Sequence, residues 1–176
     1  MAVLAVYALW QAEPCWEGLK LGLTWACLGE GLRLWAIGYA GEPTRGEKLE
    51  APVLVTAGPY AHVRNPLYVG NLLNSLGVLW AAFYPWACPR AILLWLLAVA
   101  LYRILVTHEE KFLLGLFGRE YADYCTSVPP WWPRVRGYAR AKGNFCWRKG
   151  LYFERTTLIW WALTWGLLVV KGWMAL

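Results

Sequence analysis

The sequence predicts an all-α integral membrane protein of about four transmembrane helices, two of them joined as a helical hairpin. Three observations predict it. Of 176 residues, 59% are hydrophobic and 14 are Trp, with mean hydropathy +0.36, more apolar mass than a soluble domain of this length normally carries. Four stretches of roughly 16–24 residues approach the ~20 needed to cross a ~30 Å hydrocarbon core. The positive charges cluster mainly between these stretches.

The opening Met1–Trp10 is apolar but too short to span, and suits a half-buried helix or an interfacial anchor. No basic region precedes it, which disfavours a cleaved signal peptide. The first span runs from about Trp16 to Tyr39, and inside it Glu30 and Arg33 stand at i,i+3, where they neutralise one another. The second runs from about Leu67 to Tyr84. The link Tyr84-Pro85-Trp86-Ala87-Cys88-Pro89-Arg90 has two prolines in seven residues and favours a tight helical hairpin. The third span covers Ala91–Val106. Its Arg103 has no partner in its own helix and must snorkel, pair across helices or line a cavity. The fourth covers Thr156–Trp173. The chain reads as a single domain over residues 1–176, with a motif-bearing core at about 50–133 and a basic segment plus an extra C-terminal helix over 134–176.

Charge sets the expected orientation. Segments 42–66 and 107–155 together hold twelve Lys and Arg, including Arg45, Lys48 and Arg64, while the turn between the second and third spans holds Arg90 alone. Both long segments are then cytoplasmic and both termini outside. The same distribution removes nucleic acid as the meaning of the net charge of +6, since topology and anionic headgroups account for it. Five cysteines form no C-x-x-C pair, and with only His62 and His108 a histidine-rich metal site is not expected. In Val128-Pro129-Pro130-Trp131-Trp132-Pro133-Arg134-Val135-Arg136, prolines prevent a helix and alternating Trp and Arg suit the headgroup layer.

Two clusters carry possible chemistry. In Gly58–Gly70, Pro59 and Pro66 stiffen the backbone, Gly58 and Gly70 free it, and polar groups lie between, a composition suited to a preformed cavity wall. Arg64 is suited to three partners: a lipid phosphate, Glu110, or a substrate carboxylate. Tyr60 and Tyr68 have the default reading of interfacial belt residues. The second cluster is His108-Glu109-Glu110 with Phe117-Gly118-Arg119-Glu120-Tyr121 and Tyr124. On a helix, Glu109 and Glu110 point ~100° apart, so that one can face a pocket while the other pairs with a loop. A solvated helix end is the bland alternative. The hairpin implies that Gly58–Gly70 and Val106–Tyr124 meet at one cytoplasmic surface.

Leu54-Val55-Thr56-Ala57-Gly58-Pro59-Tyr60 with Arg64-Asn65-Pro66-Leu67-Tyr68-Val69-Gly70, followed by Glu109-Glu110, Leu113, Phe117-Gly118, Tyr121, Tyr124 and Val128-Pro129, resembles the paired signatures of one family. It is that of the integral-membrane isoprenylcysteine carboxyl methyltransferases and their prokaryotic relatives, which are similar to phospholipid N-methyltransferases. The resemblance covers roughly residues 50 to 133 and implies a cytoplasmic cofactor pocket, formed by loops and helix ends, for S-adenosylmethionine. By position, Leu54, Val55 and Tyr60 would line the nucleoside pocket. Asn65, Pro66, Leu67 and Tyr68 would contact the cofactor further, with Asn65 where the family often has histidine. Glu109 would hold the cofactor and Glu110 would organise the loop.

The implied function is an S-adenosylmethionine-dependent methyltransferase of a prokaryotic plasma membrane, its acceptor a lipid or lipid-like molecule entering from the bilayer. Arg64 and Arg103 are the candidates for positioning an anionic acceptor group. An amine acceptor must first lose a proton, a task for Glu110 or Tyr68. The carboxyl-methylating branch has an arginine close upstream of the glutamate pair, whereas here the nearest is Arg103, more than a turn away. Two other classes fit the same residues: a membrane reductase using NADPH, of the sterol-reductase type, and a non-catalytic lipid-binding protein anchored by Trp131 and Trp132.

Overall fold

The computed structural model of the chain describes residues 12–41, 53–84 and 89–174. Met1–Trp10, Arg45, Lys48 and the centre of the expected hairpin turn, residues 85–88, lie outside the described residues. Those described form five α-helices and one 3₁₀ turn, with no strand among them. Helix α1 is Trp16–Ala40, the 3₁₀ turn Gly58–Ala61, α2 Pro66–Phe83, α3 Pro89–Phe117, α4 Arg119–Ser127 and α5 Trp147–Met174.

Two helices are longer than their spans. Helix α3 continues eleven residues past Val106, because Thr107-His108-Glu109-Glu110-Lys111-Phe112-Leu113-Leu114 contains no breaker. It stops at Gly118, whose φ of 52° is open to glycine at little cost. Helix α4 starts at once and buries Tyr121 and Tyr124, three residues apart on one face, then ends where Val128 turns extended ahead of Pro129. Helix α5 begins at Trp147, nine residues before the expected start, so Glu154 belongs to a helix.

Helices α3 and α5 are long and apolar enough to cross a membrane. A core helix of a soluble protein would pass that test too, but only 11% and 17% of their most apolar stretches are buried. Leu93, Leu97, Leu101 and Ile104 on α3, and Ile159, Leu163 and Leu167 on α5, are all exposed, the pattern of lipid-facing surface. Helices α1 and α2 do not reach the same hydropathy. The first carries Glu17, Lys20, Glu30 and Arg33, and the second Asn71, Asn74 and Ser75. Two of the four expected spans are therefore supported on composition.

The chain divides into two compact units. One comprises residues 1–31, 70–102 and 155–176. Its helices approach through small residues: a Cβ added at Gly29 would lie 2.6 Å from the Gly70 carbonyl oxygen, and one at Gly77 would lie 2.5 Å from that of Gly22. Ala12, Leu19, Ala26, Ala81, Ala82, Trp165 and Leu168 form its buried cluster. Asn74 donates to Glu30 Oε2 at 2.9 Å and accepts from Trp161 Nε1 at 3.0 Å, so its polar groups are bonded inside apolar surroundings. Trp95 of α3 donates to Ser75 Oγ of α2 at 3.0 Å, and these consecutive helices lie side by side. The other unit, residues 32–69 and 103–154, carries both signatures except Gly70. Within it Arg33 is ion-paired with Glu154.

Candidate functional site

The first signature is shaped by its backbone. Gly58 has φ 62°, and a Cβ there would collide with the Tyr39 ring. Pro59 follows at the start of the 3₁₀ turn, whose carbonyl accepts from the N–H groups of His62 and Val63, both at 3.0 Å. Pro66, fully buried, then begins α2, where a missing N–H costs nothing.

Arg64 realises one of its three expected partnerships. Its guanidinium donates to both oxygens of Glu110, Nε to Oε1 at 2.9 Å and NH2 to Oε2 at 3.0 Å. NH1 donates to the carbonyls of Cys125 and Val128, both at 2.9 Å, closing the C-terminal end of α4. Burial works against the charge on Arg64, but Glu110 more than offsets it and the guanidinium stays ionised. Asn65, buried, donates to Glu110 Oε1 at 3.0 Å and to the Pro130 carbonyl at 3.2 Å. Arg64, Asn65 and Glu110 thus clamp the two signatures together.

Glu109 faces another partner, about 100° round the helix from Glu110. Tyr68 donates its hydroxyl to Glu109 Oε2 at 3.0 Å, and Oε1 accepts no hydrogen bond among the described residues. Tyr60 is half-buried, and its backbone carbonyl accepts from the Tyr124 hydroxyl at 2.7 Å. Burial and then the charge of Glu109 push the Tyr60 hydroxyl pKa up, and Arg33 partly opposes them. Leu54 packs with Tyr121, Tyr124 and Val128 in a buried cluster, flanked by Leu113, Phe117, Cys125 and Tyr138. Val55 and Leu67 are half-buried. Burial first of all raises the Cys125 thiol, with Arg64 opposing, which makes it a poor nucleophile.

Arg103 stands apart. Its side chain is exposed on α3 and makes no hydrogen bond or ion pair among the described residues. A cavity of about 330 Å³ lies at the other edge of the signature, lined by Leu54, Thr56, Tyr124 and Tyr138 together with charged side chains of α4 and of residues 140–142. Of the expected cofactor residues it takes only Leu54, and Tyr60, Tyr68 and Glu109 do not line it.

Three contributors escaped the sequence. The first is the segment after the tryptophans, which runs along the outer edge of the signature as a strap. Arg134 N–H donates to the His62 carbonyl at 3.0 Å, and the Arg134 carbonyl lies 2.9 Å from His62 Nδ1. Tyr138 N–H donates to the Ala61 carbonyl at 2.9 Å. The Lys142 carbonyl accepts from Thr56 and Ala57 at 2.9 and 3.0 Å, and Lys142 N–H donates to Thr56 Oγ1 at 2.8 Å. The second is Tyr39, packed on Gly58 and, at a 5.3 Å ring separation, on Phe145. The third is Glu154, a lone carboxylate in an apolar helix, a signal in itself had that helix been started early enough.

The isoprenylcysteine carboxyl methyltransferase family model matches residues 21–115, more than half of the chain. The cobalt-zinc-cadmium resistance protein CzcN of Cupriavidus metallidurans is 35% identical over 140 residues, 75% of this chain and 58% of that protein. The protein-S-isoprenylcysteine O-methyltransferase of Tribolium castaneum is 36% identical over 124 residues, 68% of this chain and 43% of that protein. Protein-S-isoprenylcysteine O-methyltransferase B of Arabidopsis thaliana is 34% identical over 125 residues, 68% of this chain and 61% of that protein. The chain spans about half the length of the curated relatives it matches. No solved structure matches it significantly. The chain belongs to the isoprenylcysteine carboxyl methyltransferase family.

Proposed function

We propose that the protein is a membrane methyltransferase that uses S-adenosylmethionine to methylate a lipid or lipid-like acceptor. The observation that carries this reading is the Tyr68–Glu109 hydrogen bond, which fixes one carboxylate oxygen and leaves the other open beside the half-buried signature loop. The donor set suits the cofactor: an open carboxylate oxygen for a ribose diol or a cationic centre, a tyrosine wall and apolar side chains. When bound, the cofactor supplies an electrophilic methyl group.

The residues of the chain bind, orient and exclude water. Glu109 holds the cofactor, and Tyr68 keeps its carboxylate in one orientation. Tyr60, Leu54 and Val55 wall the nucleoside, with Asn65, Pro66 and Leu67 forming the adjoining wall. Arg64 and Glu110 set the spacing between the signatures, since each is already bonded to the other. Arg103, exposed on α3, is the guanidinium available to an anionic acceptor group. A carboxylate or thiolate acceptor needs no general base, and nothing in this assignment requires one. Relatives named as protein-S-isoprenylcysteine O-methyltransferases favour a lipidated acceptor. The pocket faces the cytoplasm in a four-span topology, on the distribution of Lys and Arg.

Calorimetry of the purified protein in detergent with S-adenosylhomocysteine tests this reading. Binding is expected, and Glu109→Ala and Tyr60→Ala are expected to abolish it. No binding by the wild-type protein, or NADPH binding in its place, sinks the proposal. Transfer of label from S-adenosylmethionine into a lipid extract, with the product identified by mass, then names the acceptor.

A further inference from the structure

The Arg33–Glu154 pair has no part in the pocket as assigned above. Its side chains are 2% and 0% exposed. Glu154 stands on α5, which lies wholly beyond the family match at residues 21–115. An ion pair taken out of water adds little stability, and packed apolar side chains often serve a fold as well or better. An ionisable pair inside apolar helices therefore calls for a second reason to exist.

Three observations supply one. Glu154 Oε2 is fully buried and accepts no hydrogen bond among the described residues, a costly vacancy for a carboxylate. Arg33 and Glu109 both lie within electrostatic reach of the Tyr60 hydroxyl, which joins the pair to the signature loop. The start of α5 is also fixed to the elements that hold that loop. Cys146 N–H donates to the Gly38 carbonyl at 2.8 Å, a Cβ on Gly150 would lie 3.2 Å from the Leu34 carbonyl oxygen, and Phe145 packs on Tyr39, whose ring backs Gly58. A guanidinium and a carboxylate held side by side present both signs, the complement of an α-amino-acid zwitterion.

We propose that Arg33 and Glu154 bind the zwitterionic amino-acid end of the cofactor, Glu154 Oε2 accepting a hydrogen bond from its ammonium group and Arg33 facing its carboxylate. This rests on the cofactor reading above. It makes α5 a functional part of the site and not only an added membrane anchor.

Calorimetry with two probes tests it. S-adenosylhomocysteine carries the amino-acid end, and methylthioadenosine has the same nucleoside without it. Glu154→Gln keeps the shape but replaces the acceptor oxygen by a donor. It is expected to weaken S-adenosylhomocysteine binding by roughly tenfold or more and to leave methylthioadenosine binding unchanged. The double variant Arg33→Met/Glu154→Met guards against misfolding, because apolar replacement of a buried pair is tolerated. Its ligand-free Tm is expected at or above that of the wild type, with the same selective loss. Wild-type affinity for both probes in both variants overturns the inference and leaves the cofactor reading standing. Equal weakening of both probes with a lowered ligand-free Tm also overturns it, in favour of a structural pair. Failure of the wild-type protein to bind either probe overturns both readings together.

Discussion

A guanidinium offers five donors in one plane, and Arg64 spends them on two carboxylate oxygens and two helix-end carbonyls. A lysine offers one point charge and cannot reach all four. Arg64→Lys is expected to lower stability by on the order of 2 kcal/mol, with the four bonds only partly replaced. Thermal unfolding in detergent would show it, and an unchanged Tm would refute the clamp. Tyr68→Phe has the opposite signature: Tm close to wild type, but affinity for S-adenosylhomocysteine about fivefold lower, because Glu109 loses its orienting donor. Wild-type affinity in that variant would remove Tyr68 from the site. Three tyrosines with desolvated hydroxyls carry a pH dependence. Burial raises the hydroxyl pKa of Tyr60, Tyr121 and Tyr124 above the unfolded value of about 10. The folded chain then keeps protons that the unfolded chain has lost. The stability these groups contribute is fully present below pH 10 and declines as pH rises beyond it. Ultraviolet titration should find these hydroxyls ionising only with unfolding. Reversible ionisation of all ten tyrosines near pH 10 in the folded protein would contradict it.

Helix α1 meets α2 through Gly22 and Gly29 against Gly77 and Gly70, where one backbone carbonyl nearly touches the opposite glycine. Small residues permit this approach, and in lipid they are the main means of bringing helices together. Gly77→Leu would force the backbones apart and is expected to cost about 1–3 kcal/mol. A Tm equal to that of the wild type would show that the helices are not packed this tightly. The hairpin helices and the juxtaposition of the two signatures were legible from sequence, because apolar length and proline punctuation are local signals. The full length of α3 was not legible for the converse reason: hydropathy, which sets the span, falls after Val106, whereas helix propensity does not. The Arg64–Glu110 pair stood among three alternatives, and only the fold could choose, since the partners are 46 residues apart. The strap was invisible altogether. Its bonds to the signature are almost all from the backbone, and backbone groups leave no trace in residue identity.

For the whole molecule, composition settled the class while topology rests on charge. A cysteine placed at Arg119 in a chain freed of its native thiols is expected to react with impermeant reagents only from the cytoplasmic side. Labelling from outside the cell would invert the topology. Of the proposed site, Tyr60, Tyr68 and Glu109 could be singled out from sequence, because they lie within two short signatures. The contacts that residues 134–154 make to it could not, because they join segments 72 to 121 residues apart. Those contacts set an order of events during synthesis. When the second signature leaves the ribosome, Thr56 and Ala57 still lack the carbonyl of Lys142 that their N–H groups will meet, and Arg33 still lacks Glu154. A chain ending at residue 133 would hold both signatures and every residue of the Arg64 clamp, yet lack the strap along the first signature. On the proposed reading, the pocket is complete only once residues 142–154 have followed the two signatures out of the ribosome.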